Sequence, residues 1–99
     1  MKKYRIDLTA GSAEADIENI FKYIELDSPQ NAQRWYKNLK AKIQTLDTMP
    51  ERCPKAPENE LTHLIIYHFL VDNYRVLYRI EDNTVQILHV RGPGQRQRL

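Results

Sequence analysis

The spacing of apolar residues changes twice along this chain, and those changes limit what it can fold into. Residues 4–9 alternate, with Tyr4, Ile6 and Leu8 on one side and Arg5, Asp7 and Thr9 on the other, the period of a half-buried strand. Ala10-Gly11-Ser12 breaks the alternation, and Ala13, Ile17, Ile20, Phe21 and Ile24 then recur at helical spacing. With Ser12 as N-cap and Glu14 and Asp16 in the first turn, this predicts a helix over about 13–26. Ser28-Pro29 restarts the pattern, with Ser as cap and Pro at the first helical position. Ala32, Trp35, Tyr36, Leu39, Ile43 and Leu46 form one stripe of a second helix, about 29–47. The connection is so short that the two helices run antiparallel.

Residues 48–60 hold Pro50, Pro54 and Pro57 without apolar periodicity and read as an ordered loop. From His63 to Arg91 the chain is rich in Ile, Val, Leu, Tyr and Phe, interrupted at Asp72-Asn73 and Asp82-Asn83, both good tight-turn pairs, so three strands in a meander are expected. Gly92-Pro93-Gly94 ends the last one and leaves a basic tail. The order β-α-α-β-β-β predicts an α+β fold, an antiparallel sheet with the helical hairpin on one face and the other face partly open.

Ninety-nine residues with 41% hydrophobic and 28% charged content fit one globular domain spanning 1–99 and exclude a disordered chain. Cys53 is alone and makes no internal disulfide; no apolar run approaches the roughly 20 residues that span a membrane, and no signal peptide opens the chain. A cytoplasmic location is the expectation. The formal charge of +2 is too small to argue from, so its distribution carries the argument.

Strand parity places the candidate site. A two-residue turn at Val71-Asp72 or Asp72-Asn73 puts His68 on one face with Arg75, together with Leu64, Ile66, Leu77 and Arg79, and leaves Val76, Tyr78 and Ile80 for the helices. An Arg in mid-strand is costly to bury, so Arg75 should open onto solvent or an anion such as phosphate or carboxylate. Arg75 and Arg79 are either such binders or solvated positions paired with an acid such as Asp7. Arg91, Arg96 and Arg98 extend the cluster: residues 75–99 hold five Arg against Glu81 and Asp82, the footprint of a polyanionic target or an acidic partner.

Because an imidazole ordinarily titrates near neutrality, His68 is a candidate general acid or base beside Arg75, although a packed or merely exposed His is the commoner case. A two-residue Asp82-Asn83 turn puts His89 opposite Val76, facing the helices, as a hydrogen-bonded core His. His63, at a strand start, carries no signal. Three scattered His and one Cys give no metal spacing, and Cys53 has neither a base nor a helix N-terminus to activate it, so neither a metal nor a cofactor is expected. Trp35 and Tyr36 fit the core stripe. The first helix carries Glu14, Asp16, Glu18, Glu25 and Asp27 against Lys22, and the second Arg34, Lys37, Lys40 and Lys42 with no acid; opposite signs on neighbouring helices account for that split, or the second helix presents a basic ridge.

Several stretches together resemble one family: Ala13-Glu14-Ala15-Asp16-Ile17-Glu18-Asn19-Ile20 with Tyr23-Ile24; Ser28-Pro29 with Ala32; Leu46 with Pro50; Tyr74-Arg75-Val76-Leu77-Tyr78-Arg79-Ile80; and Val85-Gln86-Ile87-Leu88-His89-Val90-Arg91. The whole chain resembles the RelE/ParE superfamily, toxins of type II toxin–antitoxin modules. The resemblance implies the fold derived above, a growth-inhibiting activity and a cognate antitoxin that covers an apolar groove and the Arg-rich face, with operator DNA reached only through that antitoxin and no membrane involved. RelE-like members cleave mRNA on the ribosome, while ParE-like members poison DNA gyrase and are not nucleases. Arg75 matches the RelE-type strand arginine, His68 falls where one of two catalytic lysines would lie, Ile66 takes the place of the other, and Arg91 or Arg96 stands for the C-terminal arginine. No Tyr follows Tyr78. The helical hairpin and the Leu88-His89-Val90-Arg91 strand end look more like ParE, which implies gyrase as target, with a ribosome-dependent nuclease or a non-toxic co-repressor as the alternatives.

Overall fold

The computed structural model describes residues 2–57 and 65–93. Strand β1 (Arg5–Leu8) leads into helix α1 (Ala13–Asp27) and helix α2 (Pro29–Gln44); two single 3₁₀ turns, Thr45–Asp47 and Pro50–Arg52, precede β2 (Tyr67–Val71), β3 (Tyr74–Glu81) and β4 (Thr84–Arg91). His63, Leu64 and the end of the proline loop lie outside the described residues.

The helix starts are capped from different sources. Ser28 Oγ accepts the Asn31 N–H at 3.2 Å with Pro29 behind it, as its sequence demands. Ser12 does not cap α1. Thr9 does so instead: its Oγ1 accepts the Ala13 N–H at 3.1 Å and its C=O the Glu14 N–H at 3.0 Å, while the Ser12 hydroxyl bonds the Thr9 hydroxyl. The stripe of α2 ends early, at Gln44, because the last turn tightens to 3₁₀ and still buries Leu46.

The sheet order is β1-β4-β3-β2, with β2, β3 and β4 antiparallel and β1 parallel to β4. The expected purely antiparallel sheet is therefore a mixed one. A parallel pair needs a long crossover, and the helices and the meander between Leu8 and Thr84 supply it. Each meander strand pairs with the one before, so the outer edge of β4 is left for β1. Asp72-Asn73 and Asp82-Asn83 are the two turns, between Val71 and Tyr74 and between Glu81 and Thr84. Asp72 (φ 55°) and Asp82 (φ 56°) take the left-handed conformation that Asp tolerates.

Ala13, Ile17, Trp35, Leu39, Ile43 and Leu46 bury against Val71, Val76, Tyr78, Val85, Ile87 and Val90 to form the main core. The proline loop folds back over the edge of β2, where Ala56 N–H reaches Ile66 C=O at 2.7 Å and His68 N–H reaches Pro54 C=O at 3.0 Å. Tyr78 crosses the core to donate its hydroxyl to Pro50 C=O at 2.5 Å. Among the described residues the other face of the sheet carries a small apolar cluster, Ala56, Ile66 and Leu77 with Leu88 against it. No helix among the described residues is long and apolar enough to cross a membrane.

Candidate functional site

The open face of the sheet collects its arginines through one irregularity in β4. Below the turn the ladder pairs Glu81 with Thr84, Ile80 with Val85, Arg79 with Gln86 and Tyr78 with Ile87; it then skips Leu88 and pairs Leu77 with His89, Val76 with Val90 and Arg75 with Arg91. Leu88 is the extra residue of a β-bulge. A regular ladder would have put His89 opposite Val76 and turned Arg91 toward the helices. The bulge instead buries Val90 in the core and brings Arg91 directly opposite Arg75 on the open face. Val85, Ile87 and Val90 carry the signal in sequence, since the two-residue spacing slips to three there.

Backbone accounting explains why the bulge persists. β1 ends at Leu8, opposite Ile87, so from Leu88 onward β4 has no strand on that side. The start of α1 fills the gap. Thr9 Oγ1 lies 2.9 Å from Ile87 C=O and 3.2 Å from Leu88 C=O, and Asp16 Oδ2 accepts the Val90 N–H at 3.0 Å. The same carboxylate oxygen is 3.0 Å from His89 Nδ1. His89 is hydrogen-bonded as expected, but the bulge overturns its helix-facing placement: it lies opposite Leu77 of the open-face cluster rather than opposite Val76, and is half-buried. Asp16, read in the sequence only as a first-turn acid, is the residue that anchors this strand end.

β2 and β3 follow the expected parity: His68 lies opposite Leu77 and Leu70 opposite Arg75, with Ile66 and Leu77 in the open-face cluster. Arg75, Arg79, Arg91 and His68 are all half-buried. Arg79 is neutralised by an ion pair with Glu81, two residues along the same strand. Arg91 differs, because its Nε and Nη2 are shut off from solvent and make no hydrogen bond among the described residues. Arg91 sits directly opposite Arg75 in the ladder, so its buried guanidinium nitrogens lie beside a second cation. Arg96 and Arg98 lie outside the described residues.

The helix side holds a second feature, an apolar groove of about 720 Å³ where α1, α2 and β1 meet. Ile6, Leu8, Ile17, Phe21, Tyr36 and Ile43 line it, with Glu14 and Glu18 on one rim and Lys37 and Lys40 on the other. Trp35 is buried against Tyr74, whereas Tyr36 is 38% exposed with its ring edge on Phe21. Cys53 is half-buried beside Tyr78, whose hydroxyl is pushed well above the ordinary tyrosine pKa, first by burial and then by Cys53. Among the described residues no group of three metal-binding side chains forms, and no ion pair links α1 to α2; Lys22 pairs with Glu18 of its own helix.

The sequence pattern of the ParE toxins of type II toxin–antitoxin systems (parDE) matches residues 8–96, and the chain belongs to that family. It is a type II toxin of the RelE/ParE superfamily. Among solved structures it is similar to the chromosomal ParDE system of Pseudomonas aeruginosa, at 15% identity and TM-score 0.72, covering 91% of this chain and 96% of that one. It is also similar to the RelBE2 toxin–antitoxin complex of Mycobacterium tuberculosis, at 25% identity and TM-score 0.64, covering 96% and 97%. No curated protein matches by sequence.

Proposed function

We propose that this toxin, acting in the cytoplasm as one domain, inhibits growth by poisoning DNA gyrase, and that Arg75 and Arg91 make the contact with the target. The carrying observation is Arg91, opposite Arg75 on the open face, whose buried Nε and Nη2 make no hydrogen bond among the described residues. A ribonuclease of this fold needs a base for the 2′-hydroxyl and an acid for the leaving oxygen. His89 is held by Asp16, which leaves His68, opposite Leu77 on the open face, as the histidine a nuclease would have to use among the described residues. Arg96 and Arg98 add to the target contact in this reading, and Arg79, held by Glu81, contributes less.

A cognate antitoxin neutralises the toxin by laying an amphipathic segment into the groove between α1, α2 and β1. The similarity to the ParDE and RelBE2 complexes, both toxin–antitoxin assemblies by title, supports this partner. The 25% identity to the RelBE2 complex keeps ribosome-dependent mRNA cleavage as the second reading, with His68 as its acid or base. One experiment separates them. Purified protein is added to a supercoiling reaction and, in parallel, to programmed ribosomes. Loss of supercoiling with accumulation of cleaved DNA and intact mRNA supports gyrase; mRNA cutting that vanishes in His68→Ala overturns it.

A further inference from the structure

Helix α2 carries four cations, Arg34, Lys37, Lys40 and Lys42, and no acid along its 16 residues. An acidic neighbour in α1 was a sufficient reason for that composition, yet no ion pair joins the helices among the described residues. All four cations are exposed, as are Gln30, Asn31, Gln33 and Gln44 between them, whereas Asn38 is half-buried and donates its amide to Asp72 Oδ2 at 3.2 Å. Among the described residues Arg34 reaches Asn31 of its own helix, at 3.4 Å, and Lys40 leans over the Tyr36 ring. This face is cationic and amide-rich, and it lies on the opposite side of the sheet from Arg75 and Arg91.

We propose that the outer face of α2 binds the phosphate backbone of duplex DNA directly, through Arg34, Lys37 and Lys42. Charge complementarity names the partner, because duplex DNA offers a negative charge about every 1.7 Å and gains by releasing counterions to each Lys or Arg that replaces them. Three properties of the face set duplex DNA apart from other polyanions and acidic partners. Exposed aromatic side chains, which stack single-stranded bases, are missing from it: Trp35 is 8% exposed and Tyr36 belongs to the groove. It lacks the apolar centre that anchors a protein interface, since Ala32, Leu39 and Ile43 point into the core. The third property is shape: a helix of about 10–12 Å diameter fits the DNA major groove, about 12 Å wide, whereas the major groove of A-form RNA is too deep and narrow. Amides beside the cations add donors and acceptors for phosphate and base edges.

The binding is independent of the gyrase reading and is tested without gyrase. The full chain is titrated against a fluorescent DNA duplex, and separately against single-stranded RNA, at several salt concentrations. Three phosphate contacts predict a slope of log affinity on log salt of about −2.7, or a loss of roughly 40-fold for a fourfold rise in salt. Arg34→Gln/Lys37→Gln/Lys42→Gln should remove most of that slope while the melting temperature holds, because Gln is nearly as good a helix former as Lys or Arg. Lys3→Gln/Lys22→Gln, at exposed cations outside α2, should leave the slope unchanged. No duplex binding, a slope insensitive to the α2 substitutions, or tighter binding to single-stranded RNA than to duplex each overturns the proposal.

Discussion

The two faces of this sheet are made by the same strands and share alternate residues, yet they have opposite chemistry. On the helix side Val76, Tyr78, Val85, Ile87 and Val90 are sealed under α1 and α2. On the other side Leu77 and Ile66 make a small patch ringed by Arg75, Arg79, Arg91 and His68. Burial of apolar area on the first face holds the domain together, and a domain this small has little stability to spare. The second face is spared that duty and can carry like charges at close quarters. The difference teaches where to look for each kind of defect: changes on the covered face should lower stability, and changes on the open face should lower toxicity alone.

The largest effect should come from the covered face. Leu39 is fully buried at the centre of the helix–sheet contact, and Leu39→Ala should cost about 2–5 kcal/mol, read as a lower urea midpoint with toxicity lost through unfolding. A stability loss within the range of ordinary surface substitutions would break the comparison at once. Tyr78→Phe removes the hydroxyl from the buried Pro50 carbonyl and should cost about 1–3 kcal/mol. It also has a pH signature. The native state holds the Tyr78 proton above the ordinary tyrosine pKa of about 10, so above that pH the folded chain binds more protons than the unfolded one and stability falls as pH rises. Denaturant midpoints across the alkaline range should drop more steeply in the wild type than in Tyr78→Phe.

Asp16→Ala sits where the two faces meet. It strips Val90 and His89 of their acceptor and should cost about 1–3 kcal/mol, with faster amide exchange at Val90 than at Val85. Equal exchange at both positions would show that the bulge needs no anchor. Smallest in stability, and sharpest as a test, is Arg75→Gln/Arg91→Gln. Stability should fall far less than in Leu39→Ala, as the same urea midpoint reads it, yet growth inhibition should disappear. Retained toxicity in this stable double variant would remove the open face from the target contact.

Much of this architecture was legible because it depends on short-range pattern. Ser28-Pro29 states both the end of α1 and the start of α2, and the parity of the Asp72-Asn73 hairpin is enough to place His68, Arg75, Leu77 and Arg79 on one face. These features require only neighbours in sequence. The site itself was only half legible, since Arg75 was assigned to its face by a regular ladder whereas Arg91 reaches the same face through the Leu88 bulge. Ser12 was the obvious cap for α1, but its hydroxyl is taken by Thr9, which caps the helix itself.

What the sequence by itself determined, then, is which segments are helix and strand and which side chains of β2 and β3 share a face, because apolar period and turn chemistry act locally. The tertiary structure decided the rest: β1 running parallel along β4, the bulge that turns Arg91 toward Arg75, and Asp16 anchoring Val90 and His89. The physical reason is that the backbone groups of β4 beyond Ile87 must be satisfied by whatever lies beside them. That neighbour is the start of α1, some 70 residues away in sequence, and no local pattern names it.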